Sequence, residues 1–150
     1  MADVGTTCLC IDLRSAANRL TRAYDEALAP AGITVTQFSQ LNTIRAQGRP
    51  TLGALADATG LDRSTLGRNV RLLEKQGLVA ISPGEDARTR TLQLTKAGES
   101  TFRRALPLWY ATQKDLVERI GEDGRSQLDA LLAVLTATAS GQNTEATGAA

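Results

Sequence analysis

The chain has 150 residues, 42 % of them hydrophobic and 22 % charged, with a formal net charge of +1. That is one domain's worth of ordinary globular chain, with no apolar run near the ~18 residues of a membrane span and no basic-then-apolar leader, so the expected compartment is the cytoplasm. It holds 2 cysteines and no histidine, which removes imidazole as base, metal ligand and pH switch and excludes a disulfide-stapled secreted scaffold.

Residues 1–7 read as disordered. From Ile11 to Ala29 apolar residues recur at Leu13, Ala17, Leu20, Tyr24 and Leu28, the period of a helix. Arg14, Arg19 and Arg22 lie between them, and Pro30 and Gly32 end the run. Thr34 followed by Gln37 is a capping box, and Ile33 with Phe38 can form its hydrophobic staple. The second helix is expected over 35–47, with Phe38, Leu41 and Ile44 inward and Gly48 as its stop. Arg49-Pro50 leads to Thr51, a fitting cap for a third helix.

The stretch from Leu52 to Thr95 carries the chemistry. Leu52, Leu55 and Ala56 have helical spacing over 52–59, and Gly60 suits a left-handed helix end with Leu61 closing its apolar contact. Asp62 then suits the N-cap of a helix over 63–76, because its carboxylate can accept the orphan N–H groups of the first turn. Leu61 and Leu66 sit at staple positions. Leu66, Val70 and Leu73 form one apolar stripe, which leaves Arg63, Ser64, Thr65, Gly67, Arg68 and Arg71 on the opposite face. Gly77 ends this helix. Val79 and Ile81, then Leu92 and Leu94, alternate as two strands, with Pro83-Gly84 as the turn signal between them.

A short helix, a tight turn, a longer helix and a hairpin are the order of a winged helix-turn-helix. Residues 63–90 set Arg63, Arg68, Arg71, Lys75, Arg88 and Arg90 against Glu74, Glu85 and Asp86. Phosphates favour helix N-termini and arginine forks, and base edges suit short polar side chains and arginine. Double-stranded DNA is therefore the expected partner. The alternatives are a solvated arginine face and a winged-helix protein-interaction module without DNA affinity. Salt dependence separates the last from a DNA binder.

After the hairpin, Thr95 caps a long helix over about 96–120, striped by Phe102, Ala105, Leu106, Trp109, Leu116 and Ile120, with a kink expected at Pro107. Gly121 to Gly124 reads as a break. A last helix over about 125–139 carries Leu128, Leu131, Leu132 and Leu135. Residues 141–150 are small and polar and read as a disordered tail. The terminal helices have more apolar face than the small module can cover, so a second copy of the chain is the expected partner. The fold class is mainly α with a small β-hairpin wing. Residues 1–33 and 96–140 are dimerisation helices around a winged helix-turn-helix at 34–95, all in one domain.

The run Leu73-Glu-Lys-Gln-Gly77-Leu78-Val79, with Asp86-Ala-Arg88-Thr-Arg90-Thr-Leu92-Gln-Leu94-Thr95-Lys-Ala-Gly98, resembles the MarR (multiple antibiotic resistance regulator) family of bacterial transcription factors. The similarity extends over about residues 10–140. The resemblance implies an intertwined homodimer that binds an inverted-repeat operator as a repressor, with an effector pocket between the dimer helices and the DNA module. It also implies that Asp86 orients the wing and that Arg88 enters the minor groove.

Nothing in the chain indicates an enzyme: there is no nucleophile elbow and no glycine-rich phosphate loop. No cofactor is indicated, and no metal site within one chain; a zinc site of four thiolates would need the cysteines of two chains. Trp109 reads as core or as the lining of a small-molecule pocket. Cys8 and Cys10 read as small buried hydrophobes or as a thiol switch. A thiol enzyme, the further rival, would turn over peroxide. Aligned without gaps from Cys10 to Gln37, the chain resembles the hydroperoxide-sensing branch of the family. Cys10 falls on that branch's reactive cysteine and Tyr24 on one of its partner tyrosines, while Arg14 and Val35 replace two others. An oxidant or a small molecule is the effector these readings allow.

Overall fold

The computed structural model describes residues 8–84, 86 and 89–145, with side chains to residue 137. The elements run α1 (Leu9–Leu28), a 3-10 turn (Ala29–Ala31), α2 (Val35–Gln47), α3 (Leu52–Thr59), α4 (Arg63–Lys75), β1 (Val79–Pro83), β2 (Arg90–Leu94) and α5 (Lys96–Glu145). The chain is mainly α with a two-stranded antiparallel wing. It divides into two units, Met1–Tyr110 and Ala111–Ala150.

In the first unit the helix boundaries follow local chemistry. Thr34 Oγ1 accepts from the Gln37 backbone N–H, and Gln37 Oε1 accepts from the Thr34 N–H, so both halves of the capping box are present. The Val35 N–H donates to Asp25 Oδ1 at 2.7 Å, which ties the end of α1 to the start of α2. Thr51 caps α3 by accepting from the Ala54 N–H, and Thr95 accepts from the Gly98 N–H at the start of α5. At the end of α4 the Leu78 N–H donates to the Leu73 carbonyl and the Gly77 N–H to the Glu74 carbonyl. Gly77 has φ +73° there, the left-handed geometry this double bond requires.

The core lies wholly in this unit. It joins Leu28 of α1, Phe38, Leu41 and Ile44 of α2, Leu55 of α3, Leu66, Val70 and Leu73 of α4, Val79 and Leu92 of the hairpin, and Phe102 and Ala105 of α5. The strands pair Val79 with Leu94 and Ile81 with Leu92. The hairpin is fixed to the loop before α3, because the Leu92 N–H donates to the Pro50 carbonyl at 2.9 Å and Thr51 bridges to Thr91.

Several expectations change. α1 does end at Leu28, just before Pro30, but Pro30 itself lies in a 3-10 turn, Ala29–Ala31, and the chain turns at Gly32, φ +76°. Pro83 closes β1 opposite Arg90 rather than sitting in the turn. Helical geometry continues past Pro107, and the one non-helical residue within α5 is Gly121, with φ 74° and ψ 167°. The break is thus a single residue, and Glu122 to Gly124 are helical. The helix also runs on to Glu145, so residues 141–145 are not a structureless tail. The tail beyond 145 and residues 1–7 lie outside the described residues. In α1 only Leu28 is buried; Leu13 and Leu20 face outward at 38 % and 45 % exposure. The second unit, described by itself, is helical on both sides of Gly121 and exposes Leu128, Leu131, Leu132 and Val134.

Gly98 marks the tightest approach in the first unit. A Cβ there would overlap the carbonyl oxygen of Leu78, which also accepts from the Thr95 N–H. The start of α5 is pressed against the α4–β1 junction, and only glycine permits it. Gly98→Ala is therefore expected to lower stability by about 1–3 kcal/mol, the usual cost of overpacking. Urea unfolding followed by circular dichroism checks this; a wild-type midpoint would contradict it.

Candidate nucleic-acid interface

The face that α4 leaves uncovered is set by what its other face buries. Leu66 and Leu73 are 0 % exposed and Val70 is 2 %, so the helix cannot rotate without exposing them. Arg63, Ser64, Arg68 and Arg71 are then exposed, and Thr65 and Gly67 half-buried. Asp62 caps the helix by accepting from the Thr65 N–H at 2.9 Å. Hydrogen bonds from the Thr65 side chain and backbone hold the Asp62 carboxyl below its ordinary range, with a smaller contribution from the charge of Arg68. A lowered carboxylate pKa means the cap is complete at neutral pH and is lost as pH falls through that lowered value. Arg68 Nη2 lies 3.5 Å from Thr65 Oγ1, so its guanidinium leans over the first turn.

Beside this face stands the wing. Arg90 opens β2 opposite Pro83. A cleft of about 320 Å³ separates α4 from the hairpin; Leu52, Val70 and Ile81 floor it, and Arg71, Glu74 and Arg90 rim it. Among the described residues, no ion pair involves Arg63, Arg68, Arg71 or Arg90. Asp86 is exposed in the loop, where its carbonyl accepts from the Thr89 N–H and hydroxyl. Arg88 lies outside the described residues. The structure thus brings Arg63, Ser64, Thr65, Gly67, Arg68, Arg71 and Arg90 to the outer faces of one helix and one hairpin.

This outward polar helix beside a basic hairpin has counterparts. The MarR family model matches residues 31–89. A transcriptional regulator of M. tuberculosis, MosR, solved in complex with DNA, is 36 % identical; the match covers 89 % of this chain and 98 % of that one, with a TM-score of 0.79.

The chain belongs to the MarR family.

E. coli MarR, solved as a cysteine-to-serine variant complexed with operator DNA, is 25 % identical over 85 % of this chain and 92 % of that one, with a TM-score of 0.78. An uncharacterized HTH-type transcriptional regulator of Bacillus cereus is 29 % identical over 103 residues, 69 % of each chain. The protein is thus a DNA-binding transcriptional regulator of the MarR family and not an enzyme. No helix among the described residues is long and apolar enough to cross a membrane.

The residues outside the face formed by α4 and the wing fall differently from the expectation. Both cysteines are free and exposed, so neither is a buried hydrophobe in the single chain. Cys8 is the extended N-cap of α1 and Cys10 lies within its first turn, with Asp12 nearby. Tyr24 is half-buried on the same helix. Fourteen residues of helix are about 21 Å of rise, so Cys10 and Tyr24 cannot touch within one chain. Trp109 packs in an aromatic column: Phe38 stacks on Phe102 at 5.2 Å and on Trp109 at 5.5 Å. The Arg45 guanidinium covers Phe102 at 5.3 Å and pairs with Glu99 at 3.5 Å. Trp109 is therefore partly core. Arg49 reads from the sequence only as a linker residue; its one signal is an arginine held between a stop glycine and a proline.

Gly67 offers a test of the face. Glycine inside a helix costs about 0.5–1 kcal/mol relative to alanine, and a Cβ at Gly67 would meet nothing within 4 Å. Its own fold therefore does not need a glycine there. Gly67→Ala should raise thermal stability by about 0.5–1 kcal/mol and weaken operator binding. Calorimetry and fluorescence anisotropy on the same variant check this; a stabilised protein with unchanged affinity would remove Gly67 from the contact.

Proposed function

We propose that the protein is a homodimeric repressor that binds an inverted-repeat operator and is released by oxidation of Cys10 or by a small molecule. The outward face of α4 carries this reading. Ser64, Thr65 and Arg68 lie at its N-terminal turns, where short hydroxyls and an arginine fork can meet base edges in the major groove. Arg63 and Arg71 flank them as phosphate contacts. Arg88 and Arg90 take the wing to the adjacent minor groove, and Asp86 orients it.

The dimer rests on uncovered apolar surface. Leu9, Ile11 and Leu20 of α1 are 57 %, 62 % and 45 % exposed, and Leu131 and Val134 of the second unit 62 % and 64 %. So much exposed aliphatic surface favours burial against another chain, and the two-fold pairing common among homodimers presents two copies of α4. The relatives solved on DNA support the DNA partner. For release, Cys10 is a free thiol exposed in the first turn of α1, open to an oxidant. Attack on a hydroperoxide breaks the O–O bond, leaving a sulfenic acid on Cys10 and an alcohol. A thiol, Cys8 or one from the second chain, can then displace water to form a disulfide. A Cys10–Tyr24 contact requires two chains, so the dimer would also complete the sensor. Either product perturbs packing beside the dimer helices and hence the spacing of the two copies of α4.

One experiment addresses both halves: selection of the bound sequence, then footprinting with and without peroxide. We expect an inverted repeat with half-site centres about one helical turn apart, ~34–36 Å. Protection should fade on mild oxidation, return with dithiothreitol, and persist under oxidant in Cys10→Ser. A single unrepeated half-site would contradict the dimer. Unchanged protection with Cys10 demonstrably oxidised would leave a small molecule as the effector.

A further inference from the structure

We propose that Arg49 and Thr51 hold a phosphate of the DNA backbone where it crosses between the recognition helix and the wing. This rests on the DNA reading above and adds a contact outside the helix and hairpin that define it. The site is a polar groove of about 540 Å³ between the loop before α3 and the base of the hairpin, lined by Arg49, Thr51, Pro83, Gly84, Thr89 and Thr91.

Its hydrogen-bonding capacity is asymmetric. The Thr89 hydroxyl donates to the Asp86 carbonyl at 2.8 Å and the Thr91 hydroxyl to the Ser82 carbonyl at 3.4 Å. Those two side chains form walls. Thr51 Oγ1 accepts from the Ala54 N–H at 3.1 Å, which leaves its own proton to donate. Arg49 is exposed, and among the described residues no carboxylate pairs with it. The groove therefore offers a guanidinium and a hydroxyl donor, the set that suits a phosphate oxygen.

Its backbone is held rigidly. Pro50 is buried, its carbonyl accepts from Leu92, and Thr51 bridges to Thr91. Arg49 thus projects from a stub whose C-terminal side is tied to β2. The position is equally defined. Thr51 Oγ1 and Arg63 Nη2 each lie 3.8 Å from the point a Cβ on Gly53 would occupy, so the groove adjoins the first residue of α4. Its other wall, Pro83, Gly84 and Thr89, is the root of the wing loop. In B-DNA one backbone strand separates the major groove from the adjacent minor groove. With α4 in the first and the wing in the second, that strand must pass between them, over Arg49 and Thr51. Such a contact sets register and adds affinity without reading sequence.

The test is anisotropy titration of wild type, Arg49→Gln and Arg49→Lys against the selected operator and a random-sequence duplex over a range of KCl. Arg49→Gln should bind both duplexes about ten-fold more weakly, the loss of one charge-assisted hydrogen bond. Its slope of log affinity against log salt should fall by about 0.9, one phosphate, and Arg49→Lys should recover the slope. Arg49 is exposed, so melting temperatures should match. Wild-type binding with an Arg49→Gln variant unchanged in affinity and slope would overturn this contact alone. Loss confined to the operator would also overturn it, by making Arg49 a reader of bases. A wild-type chain that bound no duplex at any salt would overturn both readings.

Discussion

The burial of Leu66, Val70 and Leu73 against the core is the constraint on which the rest depends. Each is a residue whose exposure would cost roughly 1.5–3 kcal/mol, and together they fix the rotation of α4 about its own axis. Once that rotation is fixed, Arg63, Ser64 and Arg68 face outward. The same core fixes the wing, because Val79 and Leu92 enter it from the two strands. Helix and hairpin are thus two projections of one rigid body. The pressed contact of Gly98 on Leu78 locks the start of α5 to the same junction.

What can be read from sequence follows from how local each cause is. The caps at Thr34, Thr51, Asp62 and Thr95 depend on a few neighbouring residues, and all four are legible. So is the stripe of α4, which a single helical period reveals. The apolar period of α1 is equally visible, but which way it faces is not a local property. Leu13 and Leu20 keep the spacing of a buried stripe and yet face outward, because nothing among the described residues of the first unit covers them. The break in α5 is narrower than its glycines suggest: Gly121 alone leaves helical geometry, while Gly124 stays helical. Glycine permits a departure without requiring one. The place of Arg49 is hidden in the sequence because it comes from the pairing of Thr51 with Thr91, about forty residues apart.

The proposed site divides its labour between reading and positioning. Hydroxyls and Arg68 at the start of α4 are short-range devices suited to base edges, while Arg63, Arg71, Arg90 and Arg49 surround them with charge that none of the described carboxylates neutralises. This local surplus explains how a chain of net charge +1 can bind a polyanion. The regulation proposed for the cysteines lies elsewhere. Cys8 and Cys10 sit at the far end of α1 from Leu28, the one residue of that helix buried in the core. A chemical change at the free end therefore leaves the core of the DNA module intact. In the proposed dimer it acts through the surface that α1 shares with the second chain, which makes the proposed regulation a property of the assembly.

The central claim is that the outer face of α4, the loop before α3 and the wing together form the DNA surface. Hydrogen–deuterium exchange by mass spectrometry, with and without saturating operator, tests it most directly. The account predicts slowed exchange in peptides covering residues 49–71 and 83–91. Saturated DNA binding with exchange unchanged in both regions, and slowed only elsewhere, would contradict it.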